Sequence, residues 1–244
     1  MPNRILRTPA DLDSANIRAI FAGFDLPITN VDCGQMCAPY NPSRKPFCCD
    51  ICHAVPAAYT SEWATLRPAT DLWHLWRGDE CSDDEFSASH RIQLESETPN
   101  GMLLLACLGP HACERENRLI SCRQFPFFPY VTSDGRFLGL AYDWEFEMTC
   151  WVISNLARVT SSYRQQFIHT YDRLFALFDE EFESYALRSE EMRELFAELG
   201  RRIPLLHRNG GYHLISSRSE RARRVDASCL KDFGVYQNNE TGHN

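Results

Sequence analysis

Apolar residues recur every three or four positions after residue 150, which is the pattern of amphipathic helices. The repeating positions are Phe167, Tyr171, Leu174, Phe178 and Phe182, then Met192, Leu195, Phe196 and Leu199. They predict one helix along the first set and a second helix that begins near Ser189 and ends at Gly200. We therefore expect residues 152–244 to form a helical C-terminal region with a frayed tail.

The first half of the chain predicts shorter helices. Residues 11–23 have the pattern of a short amphipathic helix. Thr60 or Ser61 is a suitable N-terminal cap for a second helix, which must end before Pro68 because proline cannot continue it. We expect a further short helix over residues 72–76.

Strands are predicted in the middle of the chain. The apolar runs at 102–108 and 137–142 are typical of buried strands, whereas the Asp-, Glu- and Ser-rich stretch 78–100 predicts a surface loop. The predicted fold class is therefore α+β. We expect a loop-rich cysteine-cluster domain with a few strands, residues 1–151, packed against the C-terminal helices of 152–244.

Composition excludes several broad classes of protein. The chain has 244 residues, 44% of them hydrophobic, which is enough for a substantial core. A net charge of −8 argues against nucleic-acid binding, which needs a basic surface. The longest apolar run, Met102 to Leu108, is far shorter than the roughly 18 residues of a membrane span, and the N-terminus lacks the apolar segment of a secretory signal. These features predict a cytoplasmic protein with no membrane or nucleic-acid partner.

Cysteine is the residue type that carries candidate chemistry. Nine of the eleven cysteines form three groups, which are Cys33, Cys37, Cys48, Cys49 and Cys52, then Cys107, Cys113 and Cys122, and finally Cys150. Cys81 lies in the acidic loop and is left out of the candidate set. Neighbouring thiolates repel one another unless a cation lies between them, so clustered cysteines in a cytoplasmic chain predict a metal site.

Two ligand sets are compatible with this spacing. A local zinc knuckle would use Cys33, Cys37, Cys49 and Cys52. A site assembled from distant segments would use Cys33, Cys37, Cys48, Cys49, Cys107, Cys113, Cys122 and Cys150. We favour the second set because it also explains the later cysteines. It favours an iron–sulfur cluster such as 4Fe-4S over a single zinc ion, which takes only four ligands, although two zinc ions would use the same number of thiolates.

Two segments resemble the CxxCxxCC-type cysteine-cluster family, named for a zinc- or iron-chelating domain. The first is Cys33-Gly-Gln-Met-Cys37 with the later pair Cys48-Cys49, and the second runs from Cys113 to Cys122-Arg-Gln-Phe-Pro-Phe. Cys107 matches the cysteine upstream of the second segment, and Cys150 lies where many members have a later cysteine. The resemblance covers residues 30–151, about half of the chain.

The chain departs from the family pattern in two places. Residues 38–47 separate Cys37 from the cysteine pair, where the family has a much shorter link, and Leu119 replaces a proline. Cys52 is an additional cysteine that could take the place of Cys48 or Cys49 as a ligand. Arg123, which directly follows Cys122, has two candidate roles. It can donate a hydrogen bond to a cysteine sulfur or form a structural ion pair, and we favour the ion pair.

The resemblance implies metal binding without fixing a reaction. Relatives include the flagellin lysine methylase, which implies a metal-dependent enzyme that acts on a protein or peptide. The alternatives are a non-catalytic accessory or assembly factor that binds a protein partner, and a structural zinc module. Neither glycine-rich nucleotide motif, GxGxxG or GxxxxGK[ST], occurs in the chain.

Overall fold

Two antiparallel sheets and the helices around them form the α+β fold, as expected. The computed structural model describes residues 9–81 and 88–237, with the backbone alone for 88–90. The α-helices are α1 (Ser14–Gly23), α2 (Cys33–Cys37), α3 (Thr60–Leu66), α4 (Ala88–Glu97), α5 (Ile120–Gln124), α6 (Trp151–Ser154), α7 (Ser161–Leu177) and α8 (Asp179–Glu198). No helix within the described ranges is long and apolar enough to cross a bilayer.

The strands divide into a small sheet and a larger one. They are β1 (Ala57–Tyr59), β2 (Trp73–Leu75), β3 (Met102–Cys107), β4 (Phe127–Val131), β5 (Phe137–Tyr142), β6 (Arg202–His207), β7 (Tyr212–Ser216) and β8 (Ala222–Val225). The small sheet has the order β1-β3-β2, and the larger one runs β4-β5-β6-β7-β8. The larger sheet combines strands from both sides of residue 151, and a domain boundary at that residue stays a prediction.

The aromatic stripe of α7 is the centre of the hydrophobic core. Thr160 caps this helix by accepting a hydrogen bond from the Tyr163 backbone N–H at 3.2 Å. Tyr163, Phe167 and Tyr171 are completely buried on one face, one turn apart. Burial of an apolar side chain of this size contributes roughly 2–3 kcal/mol, so this face fixes α7 against the sheet. Helix α8 packs on β4 and β6 of the same sheet.

Three local predictions were wrong. Helix α8 begins at Asp179, ten residues before the predicted start, because Phe178 adopts an extended conformation that separates it from α7. Residues 73–75 form strand β2, since pairing with β3 aligns Trp73 with Cys107 and overrides the helical spacing. Within the predicted acidic loop, Ala88–Glu97 is the helix α4, while residues 82–87 lie outside the described part.

Two buried carboxylates connect the small sheet to the helices. Glu62 accepts hydrogen bonds from the backbone N–H groups of Tyr59 at 3.0 Å and of Ile120 at 2.8 Å, and so joins α3 to the start of α5. Glu181 accepts a hydrogen bond from the Tyr59 hydroxyl. Burial raises the pKa of both carboxyl groups to about 7, because the charged form is poorly solvated.

The raised pKa of Glu181 predicts a specific pH dependence of stability. The folded state binds a proton more tightly than the unfolded state, so the stability of the wild type falls as the pH rises from the unfolded pKa towards about 7. Glu181→Gln keeps an oxygen acceptor for Tyr59 and removes the titration. We expect the free energy of unfolding of the variant, relative to that of the wild type, to increase by on the order of 2 kcal/mol from about pH 5 to about pH 8.

Urea unfolding of both proteins at the two pH values measures this difference. The exposed Glu180 on the same helix turn provides the matched control, Glu180→Gln, whose stability relative to the wild type should not depend on pH in this window. If the two proteins differed in the free energy of unfolding by the same amount at both pH values, the raised pKa of Glu181 would be contradicted.

Candidate metal centre

Helix α2 places two cysteines on one side of a single helical turn. Asp32 begins the helix by accepting a hydrogen bond from the Gly34 N–H at 2.9 Å, and Cys33 and Cys37 lie four residues apart on the same face. Gly34 lies directly against Pro46, since a Cβ at this glycine would come within 2.9 Å of the proline ring. This close approach brings the helix against the segment that carries the cysteine pair.

The cysteine pair lies in the 3-10 helix Phe47–Cys49. The Sγ atoms of Cys48 and Cys49 are 4.0 Å apart, within hydrogen-bonding range for sulfur. The pKa of Cys49 is lowered to about 7 because the Cys48 thiol donates to its thiolate, and the pKa of Cys48 is raised by the same hydrogen bond. The pair therefore loses its first proton more readily than an isolated thiol would, and the remaining proton is shared between the two sulfurs.

Three more predicted ligands come from the stretch between β3 and α5. Cys107 ends β3, Cys113 follows the Gly109 turn, and Cys122 lies in α5. Burial raises the pKa of the Cys122 thiol, and the charges of Cys49 and Cys107 raise it further. The pKa of Cys107 is raised first by burial and then by Cys49 and Cys113. These sulfurs and Cys49 therefore lie close enough to influence one another's charge.

Cys150 brings the last predicted ligand to α2. It is the N-terminal cap residue of α6, and α6 packs against α2. Burial raises the pKa of Cys150 to about 12, with further increases from Cys33 and Cys37. The pKa of Cys33 is raised to about 11, again chiefly by burial, with Cys37 as the next cause.

All eight predicted ligands are free thiols whose sulfurs lie in one neighbourhood. They are Cys33, Cys37, Cys48, Cys49, Cys107, Cys113, Cys122 and Cys150. Across the described ranges, however, no three histidine, cysteine, aspartate or glutamate side chains converge at metal-ligating distance. The sulfurs are thus neighbours without forming a finished coordination shell, and binding a metal would require them to move closer together.

Cys52 does not belong to this group of free thiols. It forms a disulfide with Cys81, 29 residues later in the chain. A sulfur in a disulfide is not a thiolate ligand, so the local knuckle of Cys33, Cys37, Cys49 and Cys52 is not available in this structure. This disulfide was not predicted from the sequence.

Two arginines near the cysteines have different roles. Arg118 Nε donates to the Cys113 Sγ at 3.1 Å, and its charge also lowers the pKa of Cys33 and Cys49. Sequence reasoning did not assign this role to Arg118, although its position between Cys113 and Cys122 was a usable signal. Arg123 is a structural residue, as favoured from the sequence, and forms a 2.8 Å ion pair with Asp25.

Arg123 joins residues 21–25, at the end of α1, to residues 115–118 beside the second group of cysteines. Its guanidinium is buried and donates to six acceptors, which are the carbonyls of Phe21, Phe24, Arg115, Glu116 and Arg118 and the Asp25 carboxylate. The planar guanidinium can reach this many carbonyls at once, whereas an ammonium group offers only three donors. The side chain thereby fixes the loop between Cys113 and Cys122 onto the end of α1.

Comparisons with known proteins identify no relative of this chain. No protein-family model matches it, and no match was found among curated proteins or solved structures. The resemblance to the CxxCxxCC-type family therefore stays a prediction based on the cysteine segments.

Replacing Arg123 tests its structural role. We expect Arg123→Lys to lower the free energy of unfolding by about 3 kcal/mol, because a buried charge loses several of its partners. Guanidinium denaturation measures the change, and Arg67→Lys, at an exposed arginine, provides the control. Equal stability of the two variants would show that the six hydrogen bonds do not hold the loop.

Proposed function

We propose that this is a metal-binding protein that holds an iron–sulfur cluster or zinc through cysteines from three segments. The ligands are Cys33, Cys37, Cys48, Cys49, Cys107, Cys113, Cys122 and Cys150. The observation that carries the proposal is that all eight are free thiols, and that each raised pKa among them is raised in part by the charge of another cysteine of the group. Thiols that share a buried neighbourhood ionise together only when a cation compensates them.

The local charges support a cationic occupant. Asp32 lies beside Cys33 and Cys37 and raises the pKa of both, although burial is the larger cause. Arg118 is a compensating cation for the group around Cys113. A metal ion would supply the additional positive charge and, when bound, would replace the thiol protons.

The wider role proposed for the protein follows the sequence resemblance. We propose a cytoplasmic, metal-dependent enzyme that acts on a protein or peptide, with a non-catalytic accessory factor and a structural zinc module as the alternatives.

Metal analysis of a double variant tests the proposal. Cys48→Ser combined with Cys49→Ser removes the two sulfurs at the centre of the group, so we expect the protein to lose most of its metal and to unfold at a lower temperature. Cys229 is an exposed free cysteine outside the group, and Cys229→Ser is the matched control. The proteins are purified without oxygen, and zinc, iron and acid-labile sulfide are measured per chain.

The metal content of the three proteins decides whether the proposal holds. Metal in the wild type and in Cys229→Ser but not in the double variant supports the proposal. Iron with sulfide and broad visible absorption identifies a cluster, whereas zinc in a colourless protein identifies a zinc site. A wild type that purifies without metal, and binds none when reconstituted with either metal, refutes it.

A further inference from the structure

We infer that the free edge of strand β8 binds an extended acidic segment of a partner protein, which joins the larger sheet as an added strand. The sheet ends at β8, which spans Ala222–Val225. An acidic segment here means one in which adjacent aspartate or glutamate residues lie among β-forming residues. This surface contains none of the eight candidate ligands, and the inference does not depend on a bound metal.

The two outer strands of the larger sheet differ in how their edges are covered. At β4, the Val131 N–H donates to Ser189 Oγ at 2.9 Å, and the Val131 carbonyl accepts a hydrogen bond from Arg193 at 2.8 Å. Both side chains belong to α8, which therefore closes this edge. Among the described residues, the backbone of β8 is bonded only to β7. The edge of β8 is thus the one that is open to a further strand.

The register of β7 and β8 shows which backbone groups face outward. The Ser216 N–H donates to the Arg221 carbonyl at 3.1 Å, so these two residues form a hydrogen-bonded pair. Bonded and non-bonded pairs alternate along an antiparallel ladder, so the backbone N–H and C=O groups of Ala222 and Arg224 point away from β7. Each of these residues offers one donor and one acceptor to an added strand.

Three exposed arginines give this edge a positive charge. They are Arg221, Arg223 and Arg224, in a chain whose net charge is −8. Glu220, which directly precedes them, pairs instead with Arg193 at 3.2 Å. Within the described part of the chain, none of the three arginines forms an ion pair. The edge is therefore a local positive patch without an internal counter-charge.

The charge and the open backbone together decide among the possible occupants. A second copy of β8 would place arginines opposite arginines, which destabilises a pair of strands. A nucleic acid would match the charge but has no peptide groups that could bond to Ala222 and Arg224. An acidic peptide matches both features, because its backbone pairs with the edge and its carboxylates pair with the guanidinium groups.

The alternation of side chains along β8 specifies where the carboxylates of the partner lie. Arg223 and Arg224 are adjacent in the strand, so their side chains lie on opposite faces of the sheet. An added strand that contacts both arginines needs carboxylates on two adjacent residues, one for each face. The edge therefore favours a pair of neighbouring acidic residues over a single one.

Fluorescence anisotropy of the full chain with a labelled peptide tests the inference. The probe peptide has two adjacent glutamates flanked by valine and threonine residues. We expect Arg223→Glu combined with Arg224→Glu to weaken binding by at least about tenfold, because repulsion replaces attraction. Arg67→Glu combined with Arg173→Glu is the matched control, since it changes the net charge equally at exposed positions outside β8.

Two N-methylated forms of the peptide test strand addition on the wild type alone, so this arm does not depend on the folding of a variant. Only alternate N–H groups of an added strand face β8. Methylation of one alternate set should therefore abolish binding, and methylation of the other set should leave it unchanged.

Binding that is lost in the β8 variant, kept in the control and abolished by only one methylated set supports the inference. Absence of binding to the wild type, equal binding by the β8 variant and the control, or the same affinity for both methylated peptides overturns it. Tighter binding of a labelled single-stranded oligonucleotide than of the peptide also overturns it, in favour of a nucleic-acid site. None of these results bears on metal binding, which is measured separately.

Discussion

Mutual repulsion that eight neighbouring cysteines would experience as thiolates is the constraint on which the proposed metal site depends. In the folded chain the cysteines of α2, of the Cys48-Cys49 pair, of the 107–122 stretch and of Cys150 are close enough to raise one another's pKa values. A protein can keep such a group protonated and inert, or it can bind a cation that replaces the protons. The charges of Asp32 and Arg118 near the cysteines are compatible with a bound cation that replaces the thiol protons.

The scaffold around these thiols is fixed mainly by polar side chains that bind backbone atoms. Arg123 holds the loop between Cys113 and Cys122 through carbonyl groups, and Glu62 holds the start of α5 through backbone N–H groups. Each buried charge is thus satisfied by several hydrogen bonds, which offsets the cost of removing it from water. The hydrophobic core under α7 supports the same elements from the other side.

Much of this arrangement could be predicted from local patterns in the sequence. The strands at 102–108 and 137–142 follow from their apolar runs, and the end of the helix before Pro68 follows from the proline. The α7 stripe follows from hydrophobic periodicity, because this helix buries one face. The α+β class follows from the same patterns. The roles of Arg118 and Arg123 could not be separated in this way, since which guanidinium faces a sulfur depends on the path of the loop between them.

The parts that sequence reasoning missed depend on contacts between distant residues. Strand β2 exists because β3 pairs with it, and its own spacing of Leu72 and Leu75 favoured a helix. The disulfide between Cys52 and Cys81 likewise requires two remote loops to meet, which no local motif records. The approach of Cys150 to α2 is also a property of the tertiary structure, because it depends on the packing of α6 against α2.

Metal K-edge X-ray absorption of the anaerobically purified protein tests the central claim most directly, because it identifies the atoms bound to the metal. We expect a first shell of about four sulfur atoms per metal at about 2.3 Å for zinc, or an all-sulfur shell with neighbouring iron atoms for a cluster. A first shell of nitrogen and oxygen atoms would contradict the claim that these cysteines hold the metal.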